Sequence, residues 1–378
     1  MSGPGNSDLL QIRYFPNMKH KPHSLTICLG ILSGAIIAGL VPLLQVDGVR
    51  AAQDSGDSAS QTAPAADPGI TTVVTDLKAS DIFEDMRNRL ESIGSLQCDL
   101  HETVHLSDQW FYAIGRYVQA SGNRVRLEFR IYPIRGVRRQ DAEYLAFGGL
   151  AEDPGKKKPT GELTQVSNGS VLWSLWKNGD SRRLTRRNIR EILEAADAAE
   201  NFERTGILHD LGAGGLQALL ARLQTGMEFG KVRQRITGET RLLVLSGRWT
   251  RKALKQYFSI SDTETQLSPW IPDYVRVYVD ADARLPRRIQ YLKRHPDPEE
   301  KTAQPLVTLD FRKMKINDSV DDSLFEFSAP EGIVEEDLTQ QTVEAIRQVA
   351  GQIAQSDESP VDSEAVVESG SDPVPESN

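Results

Sequence analysis

The stretch that decides the fold of this chain is ELTQVSNGSVLWSLWKNGDSRRL, residues 162–184. Asn168-Gly169 is a dipeptide that accepts the positive φ angles of both central positions of a type I′ turn. The spacing therefore predicts a hairpin in which residues 163–166 pair with residues 171–176. A second turn signal, Asn178-Gly179, follows at once.

Both faces of the second strand of this hairpin carry an aromatic side chain. Because strand side chains alternate between faces, Val171, Trp173 and Leu175 share one face, while Trp176 lies on the other. Such a strand is expected to be covered on each side. Its neighbours should be further strands wrapped over an apolar layer.

Alternating residues continue on both sides of the hairpin. Residues 96–106 and 110–119 alternate apolar and more polar side chains, and in residues 123–132 Val125, Leu127 and Phe129 share one face, opposite arginines. Five more strand-like runs follow the hairpin, at residues 229–236, 241–249, 274–280, 285–294 and 306–317. Within residues 274–280, Val275 and Val277 share a face.

Three runs have helical rather than strand periodicity. Residues 80–93, 187–199 and 214–227 each place apolar residues at intervals of three and four, which predicts helices with one apolar face. Many antiparallel strands with helices set to one side predict an α+β fold. We expect a curved open sheet, an unclosed half-barrel, whose concave apolar face is covered by helices. A basic excursion at residues 133–159 interrupts the strands.

The N-terminus predicts export. Residues 1–23 are polar and basic, and residues 24–46 carry no charge, which is long enough to span a bilayer as an anchor or to act as a signal segment. Basic residues before the segment keep the N-terminus cytoplasmic, so the remainder is expected on the periplasmic side. Residues 47–74 are rich in Ser, Ala and Pro and are interpreted as a disordered linker.

The net charge of −9 is concentrated at the C-terminus. Seven acidic residues and no Lys or Arg lie in residues 357–378, which leaves −2 for the rest of the chain. A nearly neutral body argues against nucleic acid as a partner, because phosphate-binding domains concentrate positive charge. The predicted half-barrel domain is residues 75–340, followed by a short helix and an acidic disordered tail within residues 341–378.

Two motifs suggest an enzyme, and both are weak. His101-Glu102-Thr103-Val104-His105 matches H-E-x-x-H, which binds zinc when it lies on a helix. Here the surrounding residues alternate with a period of two, and in a strand Glu102 projects away from both histidines. No G-x-S-x-G motif is present, and His209-Asp210 is interpreted as a loop or packing pair.

The order of elements resembles the periplasmic lipoprotein carriers of the LolA/LolB type and related lipid-binding envelope proteins. The resemblance is carried by SIGSLQCDLHETVHL after the first helix, by GRYVQASGNRVRLEF and NGSVLWSLW, and by LPRRIQYL with the ending VTLDFRKMKINDSVDDSLFEFSAPEGIVEED. In the ending, a last strand leads through an acidic turn to Phe-x-Phe-x-x-Pro-x-Gly. The resemblance covers residues 77–338.

The resemblance implies an unclosed antiparallel barrel with a helical lid over a cavity that accepts acyl chains. Lipoprotein carriers hold an arginine in the strand pair that helps to keep the lid shut. The matching place in this chain falls near Ser121, and the nearest arginines, Arg124 and Arg126, lie further along.

The leading hypothesis is a non-enzymatic, exported carrier or binder of lipid or lipoprotein acyl chains, without a cofactor. The alternative is a structural or sensor-like envelope domain that binds a protein partner and uses the same apolar residues as plain core. In the carrier hypothesis the acyl chain contacts one set of apolar residues on the concave face: Val125, Leu127, Phe129, Val171, Trp173, Leu175, Val275 and Val277.

Overall fold

A computed structural model describes residues 70–106, 109–134, 158–199, 204–237, 240–258, 260–261, 267–295 and 303–357. The predicted N-terminus at 1–23, the membrane or signal segment at 24–46, most of the linker, most of the basic excursion and residues 358–378 lie outside these ranges. No helix among the described residues is both long enough and apolar enough to span a bilayer.

Fourteen strands in the described part of the chain form one open sheet, so the predicted α+β class with an unclosed sheet is confirmed. The strands are β1 Ile70–Val74, β2 Ser95–Leu106, β3 Gln109–Ala120, β4 Arg124–Ile134, β5 Gly161–Asn168, β6 Val171–Asn178, β7 Ser181–Asn188, β8 Met227–Phe229, β9 Arg233–Thr237, β10 Thr240–Trp249, β11 Tyr274–Asp280, β12 Pro286–Arg294, β13 Ala303–Ile316 and β14 Glu335–Asp337. The sheet order is β1-β9-β10-β11-β12-β13-β2-β3-β4-β5-β6-β7-β14, with β8 paired to β10, and β14 runs parallel to β7.

The predicted hairpin is present as β5 and β6, but its turn differs from the predicted one. Gly169 has a positive φ of 93°, whereas Asn168 is not among the described residues with positive φ, so the turn is not type I′. The Asn168 side chain instead accepts hydrogen bonds from the backbone N–H groups of Ser170 and Val171, at 2.9 and 2.8 Å. Asparagine side chains favour such local turns because they bond to backbone two residues on.

Six α-helices occur in the described part of the chain. They are α1 Ala79–Ser92, α2 Ile189–Ala198, α3 Arg204–Leu211, α4 Gly215–Gly226, α5 Arg251–Phe258 and α6 Thr339–Asp357. The three predicted helices correspond to α1, α2 and α4, whose apolar positions are buried as their spacing requires.

The helices divide between two hydrophobic cores. The main core joins the apolar faces of α1, α4 and α5 to one face of the sheet, which we call the core face. A second core joins α2, α3 and α6 to Leu172 on β6, through residues such as Ile192, Leu211 and Val343. The opposite face of the sheet is called the outer face below.

Two boundaries differ from those predicted. Ile70–Val74, inside the predicted linker, forms β1 and pairs with β9, so the linker interpretation is wrong for these five residues. The C-terminal helix α6 begins at Thr339 and contributes Val343 and Ile346 to the second core. The folded unit is therefore wider than residues 75–340, because short edge strands and surface helices bury few apolar side chains and give weak patterns.

Candidate functional site

The strand registers place five of the eight predicted site residues on the core face. Residues directly opposite each other on neighbouring antiparallel strands share a face. Leu127 lies opposite Tyr117 and Phe129 opposite Leu163, all of them buried in the main core. At the other side of the sheet, Val277 lies opposite Leu245 in the same core. The five residues brought together on this face are Val125, Leu127, Phe129, Val275 and Val277.

The other three predicted site residues, Val171, Trp173 and Leu175, lie on the outer face. Leu163 is opposite Trp176, which puts Trp176 on the face of Phe129 and Trp173 on the other face. There Trp173 stacks on Phe327, with ring centroids 5.8 Å apart. The prediction chose the wrong face because each face of β6 carries a tryptophan, so the alternation alone could not orient the strand.

A small cavity lies between the core face and the first turns of α4. Val125, Leu127 and Leu309 line it from the sheet, and Leu216 and Leu219 line it from α4. Three lining residues carry polar groups: Tyr117, Gln165 and His209. The cavity therefore has apolar walls and a polar end formed by β5 and α3.

The volume of this cavity is about 70 Å³. A dry apolar cavity of about 150 Å³ binds benzene, and pockets for small ligands span roughly 300–1,000 Å³. The arrangement described here is consequently closed to an acyl chain. A chain can enter only if a segment that covers the cavity moves.

Residues 211–216, which we call the closing segment, connect α3 to α4 over the cavity. The Tyr117 hydroxyl accepts a hydrogen bond from the Leu216 N–H at 2.9 Å and donates one to Gln119 Oε1 at 2.6 Å. The Gln165 side-chain amide donates to the Leu211 carbonyl at 3.3 Å. These contacts hold the closing segment to the sheet.

Two glycines allow the closing segment to lie so close to the sheet. Gly212 and Gly215 have φ angles of 74° and 58°, in the left-handed region that favours glycine. A Cβ atom at Gly215 would lie 2.4 Å from the Tyr117 hydroxyl, and one at Gly212 would lie 2.7 Å from Gln165 Nε2. Any side chain at these two positions would therefore push the segment away from its polar partners.

His209 is the polar residue that the sequence analysis did not assign to the site. It is predicted as a loop or packing residue and lies in the last turn of α3, with 4% of its side chain exposed. Its Nδ1 is 3.2 Å from Asp210 Oδ1, and its Nε2 is buried without a hydrogen-bond partner. Asp210 is also 3.5 Å from Arg222, whose guanidinium stacks over the ring of Tyr257.

The H-E-x-x-H residues lie in strand β2, as predicted, and do not converge. Glu102 points into the main core with 1% of its surface exposed, whereas His101 is bonded to the Tyr112 hydroxyl at 2.7 Å on the outer face. His105 stacks on Trp110 at 4.2 Å. Among the described residues no three His, Cys, Asp or Glu side chains are grouped to hold a metal. The motif therefore has no zinc-site geometry.

Glu102 is a buried carboxyl in an apolar layer. Its strand neighbours across the sheet are Leu309 and Ala113, and its Oε2 is buried without a hydrogen-bond partner. Burial raises the pKa of the Glu102 carboxyl to about 8, because the charged form loses its hydration. The carboxyl is thus predominantly protonated at neutral pH.

A second, more open cleft of about 560 Å³ lies at the C-terminal end of α4. Apolar side chains of Phe83, Met227 and Phe229 line it together with Lys78 and Lys231. Its volume falls in the range of small-ligand pockets. Helix α4 therefore has the small cavity under its first turns and an open cleft at its other end.

Comparisons with known proteins leave the family open. No family model matches the chain, and no curated protein matches it. Among the similar solved structures, two each align with 65% of this chain and 95% of their own length. One is a domain described as that of an outer membrane lipoprotein-sorting protein from Vibrio parahaemolyticus, at 8% identity and a TM-score of 0.28. The other is a DUF1329 family protein from Desulfovibrio piger, at 8% identity and a TM-score of 0.27. At these TM-scores the likeness carries no argument for the site.

Proposed function

We propose that this protein is a non-enzymatic, exported binder or carrier of lipid or lipoprotein acyl chains in the cell envelope. The observation that carries the proposal is the apolar cavity on the core face under a glycine-containing closing segment that few hydrogen bonds hold in place. The charge-free residues 24–46 support a place on the periplasmic side of the inner membrane, either anchored or released after cleavage.

The energetics favour a partial opening at the N-terminal end of α4. Exposing Leu216 and Leu219 would cost about 3–6 kcal/mol, at roughly 1.5–3 kcal/mol for each leucine. Breaking the bond between Tyr117 and Leu216 would add about 0.5–1.5 kcal/mol. A chain of about twelve methylenes gains about 10 kcal/mol on burial, at about 0.8 kcal/mol each. An acyl chain therefore offsets the cost of lifting the first turns of α4.

The test is the Tyr117→Phe variant, which removes one bond of the closed state. The Leu216 N–H then loses its 2.9 Å bond to Tyr117 and keeps only the longer, 3.3 Å bond to Gln119 Oε1, so the opened state becomes easier to reach. Binding of a fluorescent fatty-acyl probe should strengthen by about two- to tenfold, as expected for the loss of one hydrogen bond. Tyr132→Phe, on the outer face of the neighbouring strand β4, is the matched control and should leave binding unchanged. Equal binding by both variants would argue against an opening at this segment.

A structural or sensor-like domain with a protein partner is the second candidate. The closed cavity and the burial of the five core-face residues favour it. Native mass spectrometry of protein purified from its own membrane separates the two. Added mass in the range of a phospholipid or fatty acid supports the binder, whereas repeated absence of added mass together with absence of probe binding supports the structural domain.

A further inference from the structure

We propose that the cavity binds the carboxyl end of a free long-chain carboxylic acid, and that the His209 imidazole is the group that recognises it. The inference rests on the proposed function and names the ligand class of the same site. It begins from the buried Nε2 atom of His209, a residue that lines the cavity, because this atom has no hydrogen-bond partner among the described residues. A buried polar group without a partner destabilises a protein, so a ligand that supplies the partner gains that free energy.

The neighbours of His209 define what Nε2 can offer. Nδ1 faces the Asp210 carboxylate at 3.2 Å, so Nδ1 carries a proton and donates it. Nε2 is then an acceptor in the neutral imidazole and a donor in the imidazolium. The Arg222 guanidinium lies 3.5 Å from Asp210 and balances its charge. A ligand group therefore binds Nε2 if it can donate a proton to the neutral imidazole or accept one from the imidazolium.

A carboxyl group satisfies Nε2 in either state. As an acid it donates its proton to the neutral imidazole, and as a carboxylate it accepts a charge-assisted bond from the imidazolium. An ester has no proton to donate and no charge, so an esterified acyl chain gains much less at this atom. A primary alcohol can donate to the neutral imidazole but gains no charge-assisted bond.

The size of the cavity agrees with a head-first orientation. A volume of about 70 Å³ suits a carboxyl and a few carbons, since one ordered water needs only about 10–15 Å³ of such volume. The Gln165 amide lies at the same polar end. The rest of the chain would pass between Leu127 and Leu219 beneath the lifted first turns of α4.

The experiment uses delipidated full-length protein and displacement of N-phenyl-1-naphthylamine, a neutral fluorescent probe. Three competitors share one chain: hexadecanoic acid, hexadecan-1-ol and methyl hexadecanoate. In the wild type we expect the acid to compete at about ten- to hundredfold lower concentration than the ester, as a hydrogen bond to a charged group predicts. His209→Phe should remove this preference of the acid over the ester. His101→Phe, on the outer face, is the matched control.

Each outcome bears on a separate claim. If the acid and the ester compete equally in the wild type, the assignment of His209 to a carboxyl is wrong while acyl binding stands. If the probe binds and none of the competitors displaces it, or if the probe never binds, the proposed function itself fails. Should His209→Phe not fold, the comparison of the three ligands on the wild type still decides the question.

Discussion

Replacing Glu102 by Gln tests the core face through the pH dependence of stability. Glu102 is 1% exposed, its Oε2 is without a hydrogen-bond partner, and burial raises its pKa from 4.5 to about 8. The folded state therefore retains a proton that the unfolded state releases above pH 4.5. Gln keeps the shape of the side chain and removes the titration.

The sign and size of the effect follow from this difference in bound protons. Between pH 4.5 and about 8 the folded state binds one more proton than the unfolded state, so stability falls as the pH rises. The slope is about 1.4 kcal/mol per pH unit, and the loss from pH 5 to pH 7 is about 3 kcal/mol. For a domain of this size that corresponds to a melting temperature lower by about 5–10 °C.

The assay is urea and thermal unfolding of the wild type and Glu102→Gln at pH 5, 6 and 7. Other titrating groups cancel in the difference between the two proteins, so that difference should grow by about 3 kcal/mol in favour of the variant over this range. Glu84→Gln on the exposed face of α1 is the control for replacing a glutamate of this chain by glutamine. The neighbouring buried Tyr291 has its pKa raised by burial and stays neutral throughout.

A difference that stays constant with pH would refute this reasoning, because it would mean that Glu102 ionises in the folded state as readily as in the unfolded state. Such a result would require water or a cation to reach the carboxyl.

Two further substitutions test the cavity and the segment that covers it. Leu127→Trp places a much larger, rigid side chain in the cavity of about 70 Å³, so it should abolish binding of a fluorescent fatty-acyl probe. The misfit of the indole ring should lower the free energy of unfolding by about 1–3 kcal/mol, whereas Arg126→Ala on the outer face should leave probe binding unchanged. Gly215→Ala places a Cβ 2.4 Å from the Tyr117 hydroxyl at a φ of 58°, which should destabilise the closing segment by at least about 1–2 kcal/mol. Amide hydrogen exchange at Leu216 should then become faster, and an unchanged exchange rate would contradict the proposed role of this segment.

Periodicity predicted most of the sheet because the strands near its centre bury one complete face. β2 through β5 and β10 through β13 alternate strongly, so their existence and the core positions of Leu127 and Val277 could be predicted from the sequence. β1 and β14 could not, since an edge strand of a few residues buries little apolar surface. The sequence also could not show which face of β6 packs on the core, because Trp173 and Trp176 are equally hydrophobic and lie on opposite faces.

The alternation pattern does not predict that the polar residues Glu102 and His209 are buried. Glu102 falls within an H-E-x-x-H string that draws attention to the two histidines instead, and His209 stands in a short helix with no regular apolar stripe. Their positions are set by long-range strand registers and by the packing of α3 on the second core. The burial of the Glu102 carboxyl and of the His209 imidazole is therefore seen only in the folded structure.

These polar residues also bear on whether the core face is a plain core or a binding surface. Each buried polar atom without a partner costs about 1–3 kcal/mol, and Glu102 Oε2, His209 Nε2 and the Tyr291 hydroxyl are three such atoms along this layer. A domain with no ligand would be more stable with apolar side chains of the same volume at these positions. In a binder, a ligand or water forms hydrogen bonds with these groups when the closing segment lifts, and this offsets the free energy lost by their burial. In the proposed carboxyl complex the ligand does so directly at His209. The coincidence of unsatisfied atoms, a cavity and two left-handed glycines on one face therefore favours a surface that opens.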